Sequence, residues 1–99
     1  MYNPAHPGEV LYTLYMEPLG LKSKDLAERI GVDRKTISRL INAKTSVTVE
    51  MALKLARAFN NKPYIWLGMQ QNYDLFKAQK NAPKGINKII PFDFDAVTA

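Results

Sequence analysis

The stretch GVDRKTISRLINAK, residues 31–44, interleaves Arg34, Lys35, Arg39 and Lys44 with Ile37, Leu40 and Ile41. Placed on a helix, Ile37, Leu40 and Ile41 share one face. Arg34, Lys35, Ser38, Arg39 and Asn42 share the other, because 34/38, 35/39 and 38/42 are each four apart, and Thr36 lies near the helix start. That second face offers guanidinium forks, ammonium points, hydroxyls and an amide, the groups that pair with phosphates and base edges. A solvated surface helix can carry the same pattern. The neighbourhood weighs toward a polyanion partner: residues 22–44 hold seven basic side chains (Lys22, Lys24, Arg29, Arg34, Lys35, Arg39, Lys44) and three acidic ones (Asp25, Glu28, Asp33), so much of the chain's net charge of +5 is concentrated here. The preceding helix and the GVD link have the length of a helix-turn-helix, with Ala27 where two helices cross closely, Gly31 freeing the turn and Ile37 plugging the shared core.

Other chemistry finds little support. There are no cysteines, hence no disulfide frame and no thiolate metal site. His6 is the only histidine and has no dyad or metal set near it in sequence, so a capping or surface role fits it better than catalysis. The five glycines are scattered and form no phosphate loop. An enzyme, a cofactor and a metal site are therefore not expected. No stretch approaches the ~20 apolar residues of a membrane span, and the N-terminus lacks a charged region followed by an apolar run. We expect a cytoplasmic protein with no membrane association.

The positioning elements read as helices. HPGE at 6–9 resembles a helix start, with Pro7 at the first position and Glu9 able to reach back to the cap. Val10, Leu11, Leu14 and Tyr15 repeat at helical spacing until Pro18 and Gly20 stop the run. A second helix is expected over 23–30, ended by Gly31, and a third from the Asp33 cap to about Asn42. Thr48 caps a fourth, whose Ala52, Leu55, Ala56 and Phe59 form an apolar stripe. Pro63 opens a fifth that reaches about Gln79 and carries two stripes, one of Trp66, Met69, Tyr73 and Phe76, the other of Tyr64, Leu67 and Leu75. Trp66 is expected to anchor the core. A helix apolar on two sides needs two partners, the domain core and either a second subunit or the C-terminal tail; Met69, Tyr73 and Phe76 are candidates for a dimer interface, with Met69 and Tyr73 equally readable as core. After the turn-rich NAPKG, INKIIPFDFDAVTA reads as a short extended segment whose acidic, aromatic end is a loosely docked tail or a strip for a basic partner.

The segment LAERIGVDRKTISRLINAKTSVTVEMALKLARAF resembles the helix-turn-helix of phage-repressor-type (XRE/Cro-type) regulators. With HPGE, EPLGL at 17–21 and YIWLGMQQNYDLFKAQ at 64–79, above all its WL-x-x-Q-x-x-YDL pattern, residues 5–80 resemble HigA-type antitoxins of bacterial toxin–antitoxin operons. By that resemblance Arg34, Lys35 and Arg39, with Thr36 and Ser38 beside them, are the base-facing side chains, and Lys22, Ser23, Asn42 and Lys44 approach phosphates. Two positions depart from the family pattern. Lys22 stands where a Ser or Asn cap is usual, and Ala43 replaces the usual Gly after Asn42, a strained choice if that residue has positive φ.

The expectation is an all-α, five-helix, repressor-like helix-turn-helix domain at 1–80 and a short extended C-terminal tail at 81–99. The resemblance implies a homodimer on double-stranded operator DNA, autorepression, and neutralisation of a HigB-type toxin, a small ribonuclease. A stand-alone repressor with no toxin partner is the alternative.

Overall fold

The computed structural model describes residues 3–93 and 95; Phe94 and the last four residues of the tail lie outside the described residues. Five helices precede the tail, and no strand occurs among the described residues. Helix α1 is continuous through Pro7–Val10, Leu11–Met16 and Glu17–Leu19. It is followed by α2 (Ser23–Ile30), α3 (Arg34–Ile41), α4 (Val49–Phe59) and α5 (Pro63–Lys80). Helix α2 packs on α3, and α4 on both α5 and α2, while α1 lies against α3 and α5.

Each helix contributes to one core, of which Leu11, Leu26, Ile37, Leu40, Leu55 and Trp66 are the central side chains. Full burial of such a side chain is worth about 1.5–3 kcal/mol relative to exposure. Trp66 is wholly buried, as expected, and its indole N–H donates to Asn61 Oδ1 at 2.9 Å. The Asn61 amide in turn donates to the Tyr15 hydroxyl at 3.2 Å. The Tyr15 ring packs 4.9 Å from Phe59 and 5.1 Å from Trp66, so one aromatic and polar cluster ties α1 to α4 and α5.

At the start of α1, Pro7 occupies the first turn and His6 takes the capping role among those expected of it, its Nδ1 accepting the Gly8 N–H at 2.9 Å; Glu9 is exposed. Gly8 is required by close approach, since a Cβ there would overlap the Leu40 carbonyl of α3. This contact lets the start of α1 sit directly on the end of α3.

Leu14, which shares the helical repeat with Leu11 and Tyr15, is 67% exposed. The cause is the π-helical segment Leu11–Met16, in which the Glu17 N–H bonds the Tyr12 carbonyl five residues back. The wider turn places Leu11 and Met16 on the buried face and rotates Leu14 to solvent. The helix also runs past Pro18, whose missing N–H falls just after this break in the regular ladder. Gly20, at φ +66°, ends it.

The tail departs from the expected extended form. A 3-10 turn spans Ile86–Lys88 after Gly85 at φ +86°, and extended backbone resumes at Ile89.

Candidate nucleic-acid interface

Helix α3 owes its position to burial and its start to a cap. Ile37 and Leu40 are buried and Ile41 is half-buried, which fixes the rotation of the helix. Asp33 Oδ1 accepts the Lys35 N–H at 3.0 Å, so the first turn is closed by a side chain. Gly31 at φ +72° ends α2 in the left-handed region, with the Val32 N–H on the Ala27 carbonyl at 3.0 Å. Ala27 is buried at the crossing of the two helices.

With that rotation fixed, Arg34, Lys35, Ser38 and Arg39 are all exposed, and Thr36 is half-buried at the helix start. The ion pairing is informative. Among the described residues the one salt bridge joins Lys54 to Glu50 on α4, at 3.9 Å. No described carboxylate neutralises Arg34, Lys35, Arg39 or Lys44. A solvated amphipathic helix commonly laces its exposed face with opposite charges four residues apart. Helix α3 instead has an unpaired cationic face and no acidic residue beyond its cap, an arrangement that draws a polyanion.

The candidate phosphate contacts flank this face. Lys22 is the N-cap of α2, and its side chain cannot accept a hydrogen bond, so half of a capping box forms: Asp25 accepts the Lys22 backbone N–H at 2.9 Å. The ammonium of Lys22 is exposed beside Ser23, at the positive end of α2. Asn42 caps the other end of α3 and donates from its amide to the Ser38 carbonyl at 2.8 Å, which occupies one of its two amide hydrogens. Ala43 has φ +58°. The Lys44 N–H bonds the Arg39 carbonyl at 2.8 Å and the Ala43 N–H the Leu40 carbonyl at 3.0 Å, so the helix ends as it would with glycine at 43, at a strain cost of about 1–2 kcal/mol.

The loop that follows, residues 42–48, is held from below by two residues the sequence reading did not assign to this role. Gln70 of α5 is 6% exposed; its Oε1 accepts the Val47 N–H at 2.8 Å and its Nε2 donates to Asp74 at 2.9 Å. His6, 2% exposed, bonds the Thr45 backbone and sets its ring edge-on to Tyr73, 4.8 Å between centroids. Because Nδ1 accepts from Gly8, the neutral imidazole carries its proton on Nε2. Burial pushes the His6 pKa down, opposed in part by that bond to Thr45. Both residues stand inside the quoted motifs, HPGE and WL-x-x-Q, which was the available signal. The loop bearing Lys44 is thereby fastened to α1 on one side and α5 on the other.

The three dimer candidates lie along α5. Met69 packs against the core, Tyr73 is half-buried against His6, and Phe76 borders a groove with the chain's own residues 3–6. The second stripe is the more open one, with Leu75 exposed and Leu67 half-buried. No group of metal-ligating side chains occurs among the described residues, and no described helix is long and apolar enough to cross a membrane.

Two short helices joined by a glycine turn, with the second presenting an unpaired cationic face, define a helix-turn-helix protein of the DNA-binding class. The helix-turn-helix family model matches residues 14–67, and the chain belongs to that family. It is 45% identical over 73 residues to antitoxin HigA-1 of Vibrio cholerae, covering 74% of this chain and 69% of that protein. Its fold matches an addiction module antidote protein of the HigA family from Coxiella burnetii, with 30% identity, a TM-score of 0.83 and coverage of 92% of this chain and all of the other. It likewise matches the Pseudomonas aeruginosa protein PA4674 in complex with its operator DNA, with 26% identity, a TM-score of 0.84 and coverage of 93% of this chain and all of the other.

Proposed function

We propose that this chain is the antitoxin of a toxin–antitoxin operon and represses that operon as a DNA-bound homodimer. The observation that carries the DNA-binding part is the cationic face of α3, exposed, unpaired and set rigidly by Ile37 and Leu40. The structural match to a protein in complex with its operator DNA supports it. In the homodimer each α3 enters a major groove, and the two helices stand about 34 Å apart across a two-fold axis. Arg34, Lys35 and Arg39 read base edges, with Thr36 and Ser38 beside them; Lys22, Ser23, Asn42 and Lys44 contact phosphates. The fastening of loop 42–48 by Gln70 and His6 holds Lys44 in register with that face.

The antitoxin part rests on the likeness to HigA-1 and to the antidote protein. Its partner is a HigB-type toxin, a small ribonuclease, which the chain masks rather than degrades; the chain itself performs no catalysis and acts in the cytoplasm. Neutralisation uses a surface other than the α3 face, so the two activities separate. The variant Arg34→Ala with Arg39→Ala changes two exposed residues, and each costs stability only on the surface scale, within about 0.5 kcal/mol. It loses operator binding yet still restores growth when coexpressed with the adjacent small protein. If that neighbour is harmless alone and never copurifies with this chain, the antitoxin reading fails and a stand-alone repressor takes its place.

A further inference from the structure

All fourteen lysines and arginines of this chain lie after residue 21. Up to that point the acidic side chains are Glu9 and Glu17, so the balance is −2 there and +7 beyond, from fourteen basic and seven acidic residues. Helix α1 is thus an element with acids and no cations in a basic protein, and neither glutamate has an ion pair among the described residues. Glu9 borders a groove shared with Lys77 and Lys80, which offset its charge, so Glu17 carries the acidic character of the exposed side. That side is also apolar: Tyr12, Leu14 and Leu19 are open to water, Leu19 at 66%. The π-helical turn that brings Met16 inward is what turns Leu14 out, and such turns occur frequently at functional sites. At Leu19 the surface dips into a cavity of about 300 Å³ that reaches α2 and α4, with Leu21, Leu26 and Phe59 among its walls and Asp25 and Arg29 balancing in charge.

We infer that the exposed side of α1, centred on Leu14, Glu17 and Leu19, docks the ribonuclease partner. This rests on the antitoxin reading and names the surface that serves it. Charge selects the occupant. A phosphate backbone repels Glu17, so DNA does not cover this side. Two copies meeting face to face through α1 would set Glu17 against Glu17, with no cation on the helix to intervene. A nuclease that binds mRNA must attract phosphates and is cationic where it does so, and such a surface complements Glu17. The leucines and the cavity beside Leu19 supply the apolar anchorage that a charge pair lacks, since a side chain seated in a pocket carries most of an interface's energy. Toxin and operator are thereby sorted by charge, the one to α1 and the other to α3.

The full-length parent and its variants are titrated with the adjacent small protein and, separately, with operator DNA, and each is sedimented alone. Leu14→Ala and Leu19→Ala should each weaken the protein complex by about tenfold or more, the scale of an interface anchor, while Leu53→Ala, a comparably exposed leucine on α4, changes it by less than about twofold. Glu17→Gln should slow association at low salt, an effect that fades as salt rises. Operator affinity and sedimentation should stay those of the parent throughout. If the parent binds its neighbour and the α1 variants bind no worse than Leu53→Ala, this surface is overturned and the antitoxin reading stands. Faster association with Glu17→Gln also overturns it, because the partner's surface would then be acidic. An equal loss of operator affinity assigns this side of α1 to DNA binding or to the fold, and a change of oligomeric state in the α1 variants alone assigns it to a second copy; either result overturns the proposal. A parent that never binds its neighbour removes the antitoxin reading and this surface together.

Discussion

Gln70→Leu tests whether α5 holds the DNA-facing loop in place. The substitution is close in size and removes both polar atoms. Asp74 is exposed and recovers its lost partner from water. Val47 does not: it is 4% exposed, and its N–H has Gln70 Oε1 as its acceptor. A buried donor stripped of its acceptor costs about 1–3 kcal/mol, so stability falls by that amount. For a chain of this size each 1 kcal/mol lowers the melting temperature by roughly 4–8 °C. Gln70→Glu keeps an acceptor for Val47 but sets a carboxylate beside Asp74, so it loses less at low pH, where the new carboxyl is neutral, than at neutral pH. Urea denaturation gives the free energies, and operator titration over a salt series gives the functional effect. Loosening the loop frees Lys44 from register, which lowers affinity and flattens the salt dependence by about one phosphate contact. Gln70→Leu with unchanged stability and unchanged salt slope would refute the fastening of the loop.

Two further predictions concern the same loop. Ala43→Gly relieves a left-handed alanine at a cost of some backbone entropy, for a net gain of about 0.5–1 kcal/mol in urea denaturation with an unchanged m-value; a loss of stability would show that position 43 is not strained. His6 has a pKa below its ordinary value of 6.5, so the folded state binds fewer protons than the unfolded one. Its contribution is complete above pH 6.5 and is lost as pH falls through the lower folded value. Unfolding free energies between pH 7.5 and 5.5 should therefore fall more steeply for the parent than for His6→Asn, and parallel slopes would contradict the buried neutral imidazole.

The parts of the molecule legible in the sequence are those set by local rules. The basic and apolar faces of α3 follow from fourfold spacing, the α2–α3 turn from Gly31, and the start of α4 from Thr48, whose hydroxyl accepts the Met51 N–H at 3.1 Å. The misread parts depend on contacts distant in sequence or on a departure from the regular period. Leu14 fits a 3.6-residue stripe, and only the π turn that brings Met16 inward removes it from the core. His6 could be read as a cap but not as a buried one, and Gln70 carried no role of its own; both are buried beneath the loop at 45–47. The Val47 partner of Gln70 is 23 residues away, beyond any periodicity. The strain at Ala43 was visible as a question, and the backbone answered it.

The central claim is that the exposed face of α3 reads DNA. Its most direct test is titration of the parent, Arg39→Ala, Lys35→Ala and Lys44→Ala against the operator upstream of the chain's own reading frame and against a scrambled duplex, at several salt concentrations. A residue that reads a base should cost about 1–3 kcal/mol on the operator when removed and much less on the scrambled duplex. Lys44→Ala should weaken both duplexes alike and reduce the salt slope by about one. Unchanged operator affinity for both Arg39→Ala and Lys35→Ala would contradict the account, because both side chains belong to the exposed cationic face of α3 on which the reading of DNA rests.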